Sequence, residues 1–307
     1  MAEVKDLIIG AAVNYSWDHL KYWVNSIRKS GFTGDVALVG TNMKKDTIDK
    51  LTQMGVELAL FGKQLENGDV VANDNGAPHV ERFFYIWNHL NRKGADYRYV
   101  ITTDTRDVIF QSDPSKWLEE GLVFHSLVAS SEGMKYQFEP WNNKNLYDTF
   151  GPFFYNRMKD GFIYNVGVIA GDAMHVKGLL LFLFQMSINR PIPIVDQAVY
   201  NFVINTEPFL NDTWFTTNDD GWAVQLGTTV KAVEAGSGDL GQHVISSTEH
   251  WKKYHMFYED TQPVFKEDGT IVNKYDKPFV VVHQWDRVPS LKAAIENNYG
   301  DVNNEQS

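Results

Sequence analysis

Asp104 and Asp107 stand with two residues between them in Val100-Ile101-Thr102-Thr103-Asp104-Thr105-Arg106-Asp107-Val108-Ile109-Phe110. The β-branched run before them reads as a buried strand, and a second apolar run follows them. Asp113-Pro114 then has the form of a helix cap with proline at the first helical position. Two carboxylates at a strand's end, between buried segments, are costly unless something positive pairs with them. In open α/β sheets the carboxyl edge of the strands is where ligands bind. Two readings follow from the residues alone. The pair holds a divalent cation and the phosphates it carries, or it is an acidic turn with Arg106 as internal partner.

Other residues of chemical interest are spread along the chain. Arg82 lies in the first turns of a helix expected from Pro78 to Asn91, just before the acidic strand; it is either a solvated charge or a ligand for phosphate or sugar. Tyr136, Phe138 and Trp141 stand beside Glu132 and Glu139 in the polar stretch 130–143. Aromatic faces next to carboxylates suit a carbohydrate, and ordinary loop packing accounts for them equally. Asn165 and Gly167 belong to a strand-like run, 161–171, with glycines where backbone must approach something closely. Asp196 and Gln197 open a helix, where a carboxylate is also an ordinary cap. His283 ends the strand 279–283.

These residues need a scaffold. Strands are expected at 6–13, 36–39 and 56–60, alternating with helices after residue 16 and at 46–54, which predicts an α/β protein with helices on the faces of its sheet. Further elements are expected as a short helix at 115–119, a strand at 122–129, a helix at 173–188, β-like pieces at 223–226 and 243–246, and a helix at 290–297. Residues 64–77 read as a long polar loop. Gly10-Ala11-Ala12-Val13-Asn14-Tyr15 lacks the Gly-x-Gly-x-x-Gly of a dinucleotide fold, and no Gly-x-x-x-x-Gly-Lys phosphate loop occurs.

With 307 residues, 43% hydrophobic and 14% aromatic, the chain can bury a large core. Its net charge of -11 repels nucleic acid. The absence of cysteine removes disulfides, thiolate zinc sites and a cysteine nucleophile. No apolar run approaches the ~20 residues that span a bilayer, and the first residues lack the layout of a signal peptide. A soluble, cytoplasmic protein is expected.

Asp104-Thr105-Arg106-Asp107 after a strand, Asn165-Val166-Gly167, Asp196-Gln197 and a late His283 occur in an order that resembles the GT-A fold glycosyltransferases using nucleotide sugars. The chain is most similar to the metal-dependent group with glycogenin and the lipooligosaccharide galactosyltransferases. The resemblance extends from about residue 6 to about residue 290. It implies a Rossmann-like mixed sheet flanked by helices, with a more irregular C-terminal acceptor part. One GT-A domain would comprise a nucleotide-binding half (1–114), a donor-sugar and acceptor half (115–295) and a flexible tail (296–307).

The resemblance also implies roles. Asp104, Asp107 and His283 would hold Mn²⁺ or Mg²⁺, with Asp104 on the metal or on the donor's ribose. The donor would be a UDP-sugar, its base cradled by Ala11, Ala12, Val13 and Asn14. Arg82 would reach the donor, Asn165 and Gly167 would lie under its sugar, and Asp196 and Gln197 would stand beside the anomeric carbon as catalytic residues. The family's Asp-x-Asp has one intervening residue where this chain has two. Its His-x-x-Gly-x-x-Lys-Pro is replaced here by His283-Gln284-Trp285-Asp286-Arg287, which puts Arg287 on the leaving phosphate. Transfer to a glycan or other hydroxyl acceptor is implied, with retention of configuration, while inversion with Asp196 as the base facing the acceptor hydroxyl stays open. Acceptor specificity is expected in 130–143 and 211–241. Three rivals are a carbohydrate-binding protein without catalysis, a sugar-1-phosphate nucleotidyltransferase and an aspartyl phosphatase. The nucleotidyltransferase would need a basic glycine-rich loop after the first strand, and the phosphatase a shorter aspartate spacing. Donor sugar, acceptor, linkage and oligomeric state are left open.

Overall fold

The computed structural model of the chain describes residues 5–73, 76–93, 97–190, 192, 194–229 and 263–301. The chain runs β1 (Lys5–Val13), α1 (Trp17–Lys29), β2 (Asp35–Thr41), α2 (Lys45–Gln53), β3 (Glu57–Leu60), a small hairpin β4–β5 (Lys63–Gln64, Val70–Val71) and α3 (Pro78–Lys93). Next come β6 (Tyr97–Thr103), β7 (Val108–Phe110), α4 (Pro114–Gly121), β8 (Leu127–Lys135), α5 (Pro140–Met158), β9 (Phe162–Asp172), α6 (Ala173–Ser187) and α7 (Asp196–Ile204). β10 (Thr213–Thr216), β11 (Ala223–Gln225), a second hairpin β12–β13 (Val264–Phe265, Ile271–Val272), β14 (Val281–His283) and a helix at Lys292–Tyr299 complete the described chain.

The main sheet has seven strands in the order β10-β8-β9-β6-β1-β2-β3. β9 runs antiparallel to both its neighbours, and the other pairings are parallel. The central strands are buried on both faces, and their side chains divide with the period of two that a strand imposes. Ile8, Val36 and Leu38 pack with Leu20, Trp23 and Ile27 of α1. Leu7, Ile9, Ala37 and Val39 pack on the other face with Phe83 and Ile86 of α3 and Leu179 and Leu183 of α6. Each helix turns an apolar stripe to the sheet, which is why β1 reads as an almost unbroken apolar run.

A second sheet of three strands, β11-β14-β7, sits beside the end of β6. β14 pairs antiparallel with β7, placing His283 opposite Val108. β11 pairs parallel with β14, placing Gln225 opposite His283. A separate core supports it: Ile109, Val224, Phe279, Val282, Trp285 and Leu291.

The structure departs from the sequence reading in several places. The strand expected at 122–129 runs from Leu127 to Lys135, so half of the expected loop 130–143 is sheet. Its Ser130, Ser131 and Glu132 are polar yet buried, which disguises a strand whose hidden face meets other polar groups. Residues 140–158 form α5, a helix with little apolar asymmetry and a break at Gly151, whose φ is 73° ahead of Pro152. β10, in the stretch read as irregular, is an edge strand. The last helix continues to Tyr299 because α1 holds its end: Asn25 Nδ2 donates to the carbonyls of Tyr299 and Gly300, and Trp17 Nε1 to Asp301 Oδ1. The β-like piece at 243–246, residues 230–241 of the expected acceptor stretch 211–241 and the tail 302–307 lie outside the described residues. Among the described residues, no helix is long and apolar enough to cross a membrane.

Candidate active site

Asp104 follows the last residue of β6, and its backbone N–H donates to Gly167 O of β9 at 2.8 Å. The turn 104–107 is pressed onto β1. Thr105 Oγ1 donates to Ala11 O at 3.0 Å, and a Cβ on Gly10 would stand 2.2 Å from Thr105 Cγ2. Only glycine leaves room for the turn there. Asp107 then enters β7, and its carbonyl accepts from Gln284 N at 2.8 Å.

The small sheet delivers His283 to this turn. Its Nε2 lies 3.5 Å from Asp104 Oδ2 and 3.7 Å from Asp107 Oδ1. One ligand atom from each of Asp104, Asp107 and His283 lies within 4.8 Å of the others. Gln225 Oε1 lies 2.7 Å from His283 Nδ1. An amide oxygen only accepts, so in the neutral ring Nδ1 carries the proton and Nε2 points its lone pair at the carboxylates. Gly167 forms the floor: a Cβ there would stand 2.5 Å from His283 Cε1 and 2.8 Å from Asp104 Oδ2. Two carboxylates and an oriented imidazole over a floor without a side chain are a donor set suited to a hard divalent cation such as Mn²⁺ or Mg²⁺.

The charges around this cluster are unevenly matched. Burial pushes the Asp104 carboxyl up, but Arg82 and His283 outweigh it and hold the group well below the usual carboxylate range. Burial raises Asp107, which His283 opposes and the neighbouring Asp104 reinforces. Burial lowers His283, but Asp107 and Asp104 raise it further, for a net upward shift. Arg106 Nη2 stands 3.6 Å from Asp107 and 3.4 Å from Asp286, so it is a partner of the acidic turn, shared with a second carboxylate.

Arg82 leaves α3 to bridge Asp104 and Asp196, the latter at 2.9 Å. Asp196 therefore does not cap α7; the capping position is Val195, without a side-chain bond. Beside it, Gln197 Nε2 donates to Glu132 Oε1 at 2.9 Å and Asn142 Oδ1 at 2.8 Å. Asn165 Nδ2 donates to the same Glu132 oxygen at 2.7 Å, and Asn165 Oδ1 accepts from Gly167 N at 2.7 Å. Glu132 is 3% exposed, and its Oε2 has no hydrogen-bond partner among the described residues. Burial pushes its carboxyl up, against the two amides.

Three adjoining cavities follow the carboxyl edge of the sheet. The first, about 360 Å³, is lined by Val13, Asn14, Thr41, Phe61 and Tyr85 among others. The second, about 440 Å³, shares Val13 and Asn14 with it and reaches Ala11, Arg82, Asp104, Asp107, His283 and Arg287. The third, about 260 Å³, shares Arg82, Asp104, His283 and Arg287 and adds Glu132, Asn165, Gly167, Asp196 and Gln197. The groove thus brings together every site residue expected from the sequence except Ala12, whose side chain packs in the core beneath. Glu132 and Asn142 were expected only as members of the carbohydrate-suited stretch 130–143 and Gln225 only as a member of 211–241, none of them with a role beside the acidic turn. A buried, polar stretch in a strand is the one local signal that Glu132 carries; Gln225 carries none.

No protein-family model matches the chain, and no curated protein matches it in sequence. Solved structures do. The crystal structure of the glycosyltransferase GlyE in Streptococcus pneumoniae TIGR4 superposes with a TM-score of 0.52 at 13% identity, over 97% of this chain and 61% of that one. The apo form of GlyE gives 0.51 at 11% identity with the same coverage. The fold is of the GT-A type. At such identity the likeness concerns the fold alone, and the chain spans about three fifths of the GlyE chain.

Proposed function

We propose that the protein is a metal-dependent glycosyltransferase that moves a sugar from a nucleoside diphosphate, UDP in the first instance, to a hydroxyl acceptor. The observation that carries this reading is the Asp104, Asp107 and His283 cluster at the carboxyl edge of a GT-A sheet, with Arg82 and Arg287 facing the same groove.

The first cavity takes the base, with the backbone of Val13 and Asn14 along it. Asp104, Asp107 and His283 hold the cation. When bound, it supplies positive charge to the diphosphate as that group leaves. Arg287 donates charge-assisted hydrogen bonds to the same phosphates. Arg82 keeps Asp104 and Asp196 apart and oriented. In the third cavity Asp196 and Glu132, whose Oε2 has no partner among the described residues, accept hydrogen bonds from hydroxyls of the donor sugar. Gln197, its amide fixed by Glu132 and Asn142, stands beside the reacting carbon. Asp196 is engaged with Arg82, so it is poorly disposed to act as a base on the acceptor. Transfer with retention is what the resemblance to the glycogenin group implies, and the anomeric configuration of the product reports it directly.

The test is a thermal-shift series with UDP and GDP, each with and without Mn²⁺, followed by UDP release from a panel of UDP-sugars. A ligand selective for the native state raises its stability. Stabilisation by UDP only when Mn²⁺ is present is the expected result. Equal indifference to both nucleotides, with and without metal, would falsify the proposal.

A further inference from the structure

Beyond the groove lies another cavity, about 250 Å³, lined by Trp141, Lys144, Asn145, Asp148, Ile192 and Ile194. Trp141 and Ile194 also line the third cavity of the groove. These two side chains therefore form the boundary between the space assigned to the transferred sugar and a second space outside it. We propose that the outer cavity is an acceptor subsite, holding a neutral pyranose ring of an oligosaccharide one unit beyond the ring that receives the sugar. The proposal rests on the transferase reading and names the acceptor class for that same site.

The chemistry of the walls selects this ligand. Trp141, Ile192 and Ile194 offer aromatic and aliphatic surface to the C–H face of a sugar ring. Lys144 and Asp148, paired one helical turn apart on α5, stand exposed at the rim, where hydroxyls exchange bonds with charged groups. Asn145 is 8% exposed, donates to Ile194 O at 2.6 Å, and has a buried Oδ1 without a partner among the described residues. That bond ties α5 to the segment before α7, so both walls hold one spacing.

The platform is also set in advance. Glu139, fully buried, accepts from the backbone N–H groups of Trp141 and Asn142. A backbone fixed before binding avoids part of the ordering cost. An anionic acceptor would meet Asp148 and a chain of net charge -11, which is why a neutral glycan is specified. A cavity of this size takes a single ring and is too small for a second nucleotide.

The experiment is saturation-transfer NMR on the full chain with UDP and Mn²⁺ present. The probes are methyl β-glucoside and methyl β-galactoside, set against cellobiose, maltose, lactose and N,N′-diacetylchitobiose. A disaccharide of the set should show transfer to both rings and bind at least tenfold tighter than its monosaccharide. Trp141→Ala should remove that advantage and Trp141→Phe should retain most of it. Asp148→Ala, at an exposed rim position, should reduce it a few fold. UDP with Mn²⁺ should stabilise all the variants as it does the parent chain. If UDP and Mn²⁺ stabilise the parent chain but no disaccharide binds better than a monosaccharide, or Trp141→Ala binds it equally well, the subsite is wrong and the transferase reading stands. If UDP with Mn²⁺ stabilises nothing, that reading fails, and a Trp141-dependent disaccharide signal would still support a sugar site here.

Discussion

Two groups of carboxylates share the floor of the groove and are satisfied in opposite ways. At one end Asp104 and Asp107 face each other across His283, with the two arginines at the flanks divided among other acids: Arg82 with Asp196, Arg106 with Asp286. At the other end Glu132 is met by the amides of Asn165 and Gln197, neutral donors that satisfy one of its oxygens and leave the other open. Like charges drawn together by the backbone must be relieved by a bound proton, a neighbouring cationic group or a cation. A single buried carboxylate held by amides is complete but for one hydrogen bond. The first arrangement concentrates negative charge, and the second presents a single carboxylate oxygen that no described residue meets.

Breaking the charged end should cost most. Asp107→Ala should lower metal-dependent UDP release by about 10³-fold or more, as loss of a group that positions transition-state charge does. It should also erase the Mn²⁺-dependent stabilisation by UDP while the circular dichroism spectrum stays that of the parent chain. Full activity in this variant would exclude the site. At the hydroxyl end, Glu132→Gln keeps the shape but loses the anionic acceptor. A fall in kcat/KM for the donor sugar of about 10- to 10²-fold is expected, the size of a lost hydrogen bond to a charged group, with UDP and Mn²⁺ affinity unchanged. A parallel loss of Mn²⁺ affinity would show that the two ends are one unit.

The comparison sharpens at Gln225, which touches neither end's ligand but holds His283. Gln225→Leu should weaken Mn²⁺ binding by about 10- to 100-fold, measured by calorimetric titration. Unaltered affinity would mean that the imidazole needs no orientation from outside. The smallest effect concerns stability. Burial raises the Glu139 carboxyl to about 7 from an ordinary 4.5. Between those values the folded chain keeps a proton that the unfolded chain has lost, so this group's contribution to stability falls as pH rises from about 4.5 to 7. The total change is at most about 3 kcal/mol. Glu139→Gln lacks it, so the parent chain should lose melting temperature relative to the variant across that window. A constant difference between the two would show that Glu139 titrates normally.

How much was legible follows from which residues lie near each other along the chain. β1, β2, β6, α1, α3 and α6 could be read directly, because apolar periodicity is local and their neighbours on each face are generic. The aspartate pair, Arg82, Asn165, Gly167 and Asp196-Gln197 stood out by residue type and order. β8 and α5 were not legible. Glu132 and Ser130 look like loop residues until the amides opposite them are known, and α5 carries no apolar stripe to announce itself.

Residue types and their order alone settled the α/β alternation, the helices that cover the sheet, the exclusion of a dinucleotide fingerprint, and an acidic turn at a strand's end. Those features depend on side-chain chemistry and on spacings of a few residues. Whether the turn belongs to a site was decided elsewhere. The pairing of β7 with β14 and of β14 with β11 joins residues 107, 283 and 225, and nothing near any one of them in the chain specifies the other two. Likewise the meeting of β8, β9 and α7 turns Glu132 from a solvated charge into a buried one. Register between distant strands is a property of the packed core, and the chemistry of this groove was created by that register.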